Sequence, residues 1–478
     1  MIPAAFPPFF VTICKFFERK GINLQKVSYL CRVKLRIAMA ALLFLQLVVV
    51  IAMIYIGAKV GGIGLGIYGM VGVFVLVFVF GLKPGVIPVD VMLIIVSVIT
   101  ASAALQAAGG LDYMVNVAAR FLKKNPSRIT FLAPLITWFF TLLAGTAHTC
   151  YALQPIIAEI ARKGKVRPER PLSVATNAAS QGIVGSPLSA ATAAILSEEL
   201  LGDKGIGMTE ILAITIPSSI IAILVASLVQ NSVGKPLEKD PEYLRRIREG
   251  LLSADEDLAS DEQADNPRSK MAVLAFLLGV VMVVLCGVFP DLRPSFDGEP
   301  LNLSTSIEII MMSIAALILL VGKADVHKAM KGNVFTSGMN AMVSIFGVAW
   351  MGSTFFKGHH EMILGSVDGI FTSYPLLFAI PLFLFSIMLF SQAATIKTLY
   401  PVGLALGVPP MMLLVLFPAV NGYFFLPNYP TSIAAIGFDR TGTTRIGKYV
   451  LNHSFMLSGF ITTFVSIGIG YLIMMLLY

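Results

Sequence analysis

The stretch NAASQGIVGSPLSAATAAI, Asn177 to Ile195, decides how this chain is read. It lies within an apolar run yet gathers Asn177, Ser180, Gln181, Gly182, Gly185, Ser186, Pro187 and Ser189. In hydrocarbon an unpartnered backbone N–H or C=O is costly, so a glycine-broken helix is tolerated there only where protein or a wet cavity satisfies it. The break is therefore a candidate binding site. Ser186 before Pro187 reads as an N-cap and first helical residue, which would aim the free N–H groups and positive dipole end of a second half-helix at the break. Such an end suits an anion.

The rest of the chain supplies the membrane. Its 478 residues are 56% hydrophobic and only 13% charged, a balance that excludes ordinary soluble globules. Apolar runs of about 16 to 23 residues fit helices crossing a roughly 30 Å hydrocarbon core. They lack the alternation of barrel strands. The net charge of +8 is no nucleic-acid signal, because the basic residues occupy short loops between apolar segments. The lipid bilayer is the expected partner and nucleic acid is not. Cys14, Cys31, Cys150 and Cys286 have no metal or redox spacing, and no cofactor or metal site is expected.

Residues 1–38 are unlike the remainder of the chain: they hold seven Lys and Arg residues and an aromatic run, Phe9 to Phe17, too short to span. They read as an atypical N-terminal extension, with translation beginning at Met39, rather than as a targeting segment, which would carry a cleavage site. A first transmembrane repeat is assigned to 39–232, with passes at about 39–58, 63–82 and 86–107. Leu111 to Arg128 reads as an amphipathic helix lying at the interface. Segment 129–160 is broken by AGTAH, Ala144 to His148, and has basic residues on both flanks. Lys and Arg favour the cytoplasmic side, so it should enter and leave by one face as a re-entrant hairpin. Segment 172–200 carries the break and crosses, and 210–232 returns.

A polar cytoplasmic connector, 233–270, is expected to hold one short helix near Pro241 to Leu251. The second repeat, 271–478, has passes at about 271–288, 307–322 and 334–356. A broken hairpin comes next at 375–407 around SQAAT, Ser391 to Thr395, and a broken helix at 410–438 around LPNYPTSIAA, Leu426 to Ala435. Aligning Gly145 with Ser391 pairs Thr149 with Thr395, Leu153 with Leu399 and Pro155 with Pro401, and the later breaks share Pro-x-Ser at Pro187 and Pro430. The fold class expected is an all-α polytopic membrane protein of two inverted repeats, each about five transmembrane helices plus a hairpin and a broken helix. The charge bias agrees, placing the connector inside and both termini outside the cytoplasm.

Four polar clusters should then converge near mid-membrane: Gly145, Thr146 and His148; Ser180, Gln181, Ser186 and Ser189; Ser391, Gln392, Thr395 and Lys397; Asn421, Asn428, Thr431 and Ser432. Hydroxyls, amides and half-helix N-termini suit a small carboxylate. Lys397 is either a site cation or a side chain reaching to the interface. His148 is either a proton carrier or a hydrogen-bonded core residue. Asp439 and Thr443 lie in a loop that reads equally as a structural turn or a partner surface. No catalytic triad, phosphate loop or paired catalytic carboxylates are present, so an enzyme is not expected.

Several long motifs, AGGLDYMVNVAARFLKKNPSRIT, ASQGIVGSPLSAA, FSQAATIKTLYPVGLALGV and FDRTGTTRIGKYVLNHSF, resemble the anaerobic C4-dicarboxylate transporters of the Dcu family. The resemblance runs from about Met39 to the C-terminus. PERP, Pro168 to Pro171, and DLRPSFDG, Asp291 to Gly298, look closer to its fumarate/succinate-exchanging branch. It implies antiport of fumarate, malate or aspartate against succinate in a bacterial inner membrane, under anaerobic conditions. It also implies a membrane sensor kinase as partner at Asp439 and Thr443; a homodimer is expected from analogous folds. The family tip carries Gly where Ala147 stands here. The competing readings are cation-coupled transport of another small anion, and a transporter that doubles as co-sensor.

Overall fold

The computed structural model describes residues 24–478 apart from 61–62, 88, 198–199, 253–265, 297, 367–369, 390, 427–428 and 448–451. Of the N-terminal extension, residues 1–23 fall outside the described residues, and the remainder opens a helix that continues through Met39 without a break: α1, Leu24–Val60. After it come α2 (Gly64–Phe74, prolonged by a π-helical turn Val75–Val79), α3 (Val89–Ala107) and α4 (Gly110–Lys124). Next are α5 (Ile129–Ala144), α6 (Cys150–Lys163), α7 (Glu169–Gly185), α8 (Ala190–Leu196) and α9 (Met208–Gln230). The connector forms α10, Pro241–Arg248. The second half gives α11 (Pro267–Val288), a short hairpin of β1 (Ser295–Phe296) and β2 (Glu299–Pro300), α12 (Leu303–Gly322), α13 (Val326–Lys331) and α14 (Asn333–Ser366). It closes with α15 (Ile370–Ser373), α16 (Ala379–Leu389), α17 (Gln392–Ala405), α18 (Pro410–Val415), α19 (Pro430–Phe438) and α20 (Met456–Leu477).

Six of the described helices are long and apolar enough to cross a membrane, and seven if the bent pair α3 and α4 counts as one. That pair turns through 69° at Gly109, whose φ of +73° is a left-handed value that favours glycine. The amphipathic helix expected beyond the bend is α4, which buries Ala118, Ala119 and Leu122 and leaves Lys123 and Lys124 outward.

Both interrupted segments are hairpins. With Pro126 to Arg128 ahead of it, α5 is long enough to span, but α6 doubles back: a methyl group on Gly164, just past its end, would lie 2.9 Å from the Pro126 side chain. In the second half, a methyl on Gly403 would lie 2.8 Å from the Phe378 ring, and one on Gly407 3.1 Å from Thr372 Oγ1. Each return arm thus ends beside the start of its own outgoing arm. The turn at the first tip is Gly145, in the left-handed region at φ +68°.

One group of helices packs through bare backbone. A methyl on Gly347 of α14 would sit 1.9 Å from Gly66 O of α2, and one on Gly66 would sit 2.1 Å from Val343 O. Only glycine permits that approach. The segment after α2 is strapped to the same helix, Thr354 Oγ1 accepting from Gly85 N at 3.0 Å and Ser353 Oγ from Val86 N at 2.9 Å. Beside it, α3, α11 and α12 share a core of Ile94, Leu105, Phe276, Met311 and Ile318. The hairpins and broken helices form a second group, with Tyr400, Phe417 and Phe378 among its fully buried side chains.

The cap at the first break corrects the sequence reading. Ser186 ends α7 with an extended ψ of 124°, and the next helix begins only at Ala190, capped by Ser189, whose Oγ accepts from Thr192 N at 3.0 Å. Pro187 is the cause: it forces the preceding residue out of the helical region, and the Ser186 hydroxyl is spent on Leu188 N at 3.2 Å. The break is therefore four residues, Ser186 to Ser189.

Candidate functional site

The two hairpins grip the two broken helices crosswise. From the first hairpin, Gln154 Nε2 donates to Thr176 Oγ1 of α7 at 3.1 Å and to Thr431 O of α19 at 2.9 Å. From the second, Gln392 Nε2 donates to Ser180 O of α7 at 3.0 Å and to Asn421 Oδ1. Each glutamine therefore ties a broken segment from either half to one hairpin. Asn421 sits in the 3-10 stretch Phe417–Phe424, at a residue whose ψ of 27° breaks the helical run. Gly145 closes the ring: a methyl there would meet Leu188 O at 2.8 Å, so the first tip rests on the backbone of the first break.

This junction is sealed and polar. Gln154, Gln181, Gln392, Asn421 and Tyr423 are all buried. Gln181 has neither amide atom partnered among the described residues, and Asn421 Nδ2, Tyr423 Oη, Gln392 Oε1 and Gln154 Oε1 are likewise unpaired. Each such group costs about 1–3 kcal/mol. Six such atoms on five buried residues of these elements are more than a packed interior ordinarily leaves unpaired.

The expected residues divide accordingly. Ser180, Gln392 and Asn421 meet directly, Thr431 is joined to α7 through Gln154, Gln181 follows Ser180 along α7, and Gly145 lies against the break. Ser186, Ser189, Ser391 and Thr395 are spent on helix ends: Ser391 Oγ accepts from Ala394 N at 3.2 Å and Thr395 Oγ1 donates to Ser391 O at 2.9 Å. Thr146 gives its carbonyl to Thr149 Oγ1 at 3.3 Å, and Ser432 lies buried in the first turn of α19. The His148 backbone is in the 3-10 turn Ala147–Thr149, its side chain outside the described part; Asn428 lies outside the described residues.

Lys397 is buried and lies against the first broken segment, next to the end of α8. It is 8% exposed, and Nζ donates to Ser197 Oγ at 3.1 Å, at the C-terminal end of α8, where the helix dipole favours a cation. Gln154, Tyr423 and Thr176 were not singled out by sequence. The signal for Gln154 was available, an amide in an apolar arm nine residues past a glycine turn.

The loop at Asp439 turns inward. Its carboxylate accepts from Thr441 N at 2.9 Å, Thr443 Oγ1 at 2.8 Å and Thr444 N at 2.6 Å, and both Asp439 and Thr443 are buried. Thr443 Oγ1 also accepts from Glu169 N at 3.2 Å. Glu169 in turn joins Arg167, which pairs with Asp240, the N-cap of α10. Burial works to raise the Asp240 carboxyl, but the Tyr243 N–H and the Arg167 guanidinium outweigh it and hold the group below the usual range.

The model of the family described as anaerobic C4-dicarboxylate membrane transporter matches residues 42–478. The chain belongs to that family. Relatives include the C4-dicarboxylate transporter DcuA of Wolinella succinogenes, 40% identical over 433 residues, which cover 90% of this chain and 99% of the relative. The anaerobic C4-dicarboxylate transporter DcuB of Escherichia coli is 41% identical over 437 residues, 90% of this chain and 97% of the relative. The chain is thus as similar to one named branch of the family as to the other. Among solved structures, the YdaH transporter of Alcanivorax borkumensis matches with a TM-score of 0.52 at 15% identity, covering 80% of this chain and 85% of that one. That likeness concerns the fold alone. Membership in the Dcu family makes this chain a multi-pass membrane transporter of C4-dicarboxylates, and not an enzyme.

Proposed function

We propose that the chain is an antiporter that exchanges fumarate, malate or aspartate for succinate across a bacterial inner membrane, binding the substrate at the four-element junction. The observation that carries the site is the set of unpartnered buried groups on Gln154, Gln181, Gln392, Asn421 and Tyr423. Asn421 Nδ2, Gln181 Nε2 and Tyr423 Oη are donors, as a carboxylate needs. Hairpins that close on their own starting points support halves inserted with opposite orientation, the connector cytoplasmic and both termini outside. The substrate would be released when the hairpins rock or slide relative to the glycine-packed helices α2 and α14.

The test is counterflow. Proteoliposomes holding fumarate should take up labelled succinate far faster than empty ones. Equal uptake with and without the internal partner would refute antiport.

A second reading, coupling to a cation, is favoured by the unpaired carbonyl oxygens Gln154 Oε1, Gln181 Oε1 and Gln392 Oε1, which are ligands of the kind sodium takes. Sodium-dependent uptake into empty vesicles would establish it. A homodimer and a sensor kinase remain expectations of fold and family; Asp439 and Thr443 would act on such a partner by shaping their loop, since their own side chains face inward.

A further inference from the structure

Two tyrosine rings bridge the gap in the second broken segment. Tyr423 lies near the end of the 3-10 stretch Phe417–Phe424, and Tyr429 stands immediately before Pro430, the first residue of α19. Their rings stack with centroids 4.8 Å apart and planes 15° from parallel, a separation that aromatic pairs favour. Each ring is two residues from an anchor of the crosswise grip: Tyr423 from Asn421, which Gln392 holds, and Tyr429 from Thr431, whose carbonyl Gln154 holds.

The backbone of Tyr423 is fixed on both sides. Before it, Gly422 N donates to Ser386 Oγ of α16 at 2.9 Å, and a methyl on Gly422 would lie 2.7 Å from Phe383 O. After it, the Phe424 ring lies so close to α20 that a methyl on Gly459 would come within 2.2 Å of it. With the main chain held, only the side-chain torsions of Tyr423 decide where its hydroxyl stands. Tyr429 restrains those torsions through the stack, and it is itself pinned. Its backbone is extended, as proline requires of the residue before it, and its carbonyl accepts from Ser432 N at 3.0 Å and Ile433 N at 3.1 Å.

The hydroxyl so placed has nothing to bond. Tyr423 is 3% exposed, and its Oη has no partner among the described residues. A buried tyrosine ordinarily finds a partner for its hydroxyl, and phenylalanine would fill the same space without the penalty of an unsatisfied donor. Tyr400 shows the ordinary case in the same group of helices, its hydroxyl donating to Leu413 O at 2.8 Å.

We infer that Tyr423 donates its hydroxyl to a substrate carboxylate and that Tyr429 is a positioning residue, which holds the Tyr423 ring and touches no substrate itself. The inference rests on the proposed function and deepens it, by naming what aims the donor of the last broken segment. A phenolic O–H to a carboxylate is a charge-assisted bond, short and directional, so a ring free to turn would lose it. The line of hold runs from Gln154 through Thr431 O and the start of α19 to Tyr429 and then Tyr423. The first hairpin thus sets a donor carried by the second half.

The test is equilibrium binding of labelled succinate to the purified full-length chain in detergent, with melting read on the same samples. Tyr423→Phe keeps the ring and the stack; it should weaken binding by about tenfold to a hundredfold and raise the melting temperature, since the unsatisfied hydroxyl is gone. Tyr429→Phe should bind as wild type. Tyr429→Leu, which removes the stack, should weaken binding to the same degree as Tyr423→Phe, and the two together should lose no more than either alone, because both act through one hydroxyl. Should Tyr429→Leu fail to fold, Tyr429→Met makes the same measurement. Losses that add in the double variant, or a loss in Tyr429→Phe, would overturn the positioning role. A lowered melting temperature in Tyr423→Phe would mark its hydroxyl as a structural partner and overturn the donor role. Unchanged binding in Tyr423→Phe, with Gln392→Leu still weakened, would overturn the inference and leave the proposed function standing. Unchanged binding in both would move the substrate away from the junction and overturn the proposed site as well.

Discussion

Replacing Gly145 by alanine tests the meeting of tip and break directly. Two costs arise. The first is conformational, because an L-residue at φ +68° loses about 1–2 kcal/mol in the left-handed region. The second is steric: the new carbon would stand 2.8 Å from Leu188 O, whereas a carbon–oxygen contact settles at about 3.3 Å or more. The tip must then retreat from the break by about 0.5 Å. Gly81 separates the two, since at φ +71° it carries the same conformational cost and has nothing within 4 Å of an added methyl. Both variants are expected to lower stability by about 1–2 kcal/mol, read as a melting shift in detergent. Misplacement on the scale of an ångström can cost a hundredfold at a binding centre, so the initial rate of succinate counterflow should fall about tenfold in Gly145→Ala alone. Equal transport by Gly145→Ala and Gly81→Ala would refute the idea that this contact shapes the site.

Gln392→Leu removes donors to Ser180 O and Asn421 Oδ1 and should raise the succinate KM by about ten- to a hundredfold, at about 1.4 kcal/mol per tenfold; an unchanged KM would move the substrate elsewhere. Arg167→Met strands Glu169 and Asp240, both buried, and should destabilise the fold by about 3–5 kcal/mol; a loss below about 1 kcal/mol would show that water compensates the pair. The connector should also give an acid limb. Asp240 is held below its ordinary value and Glu242, bonded by Arg245 and Arg246, is pushed down to about 2. A carboxyl whose folded value is depressed contributes stability above its unfolded value, near about 4, and loses it as pH falls from there. Melting between pH 7 and 3 should therefore fall off only below about pH 4, and Asp240→Asn should flatten that limb; undiminished acid sensitivity in the variant would count against it.

The hairpins were legible because their causes are local. Basic flanks and the AGTAH interruption can be seen in one stretch of chain, as can the glycine and proline of the first break. The cap was misplaced by three residues because Ser186 and Ser189 are chemically alike, and only the backbone decides which hydroxyl Pro187 leaves available. For Lys397 the sequence left a site cation and a side chain reaching the interface both open, and the partner found for it, Ser197 Oγ at the end of a helix 200 positions away, is one that no local pattern reveals. Gln154 did carry a local signal, an amide in an apolar arm, but its partner Thr431 O, 277 residues distant, did not show in the sequence. At Asp439 the sequence left a structural turn and a partner surface open, and what it could not show is that three neighbouring threonines satisfy the carboxylate from within the loop.

The crosswise grip of Gln154 and Gln392 bears on how such a chain is made. A ribosome delivers the first hairpin and the first broken helix well before Thr431, Asn421 and Gln392 exist, so for that interval Gln154 and the Ser180 carbonyl lack the groups that will finally satisfy them. The early half must wait with its polar faces open to water or to the insertion machinery, and the two halves lock only when synthesis is nearly complete. Expressed as separate polypeptides, they should each be short-lived, and each should rescue the other.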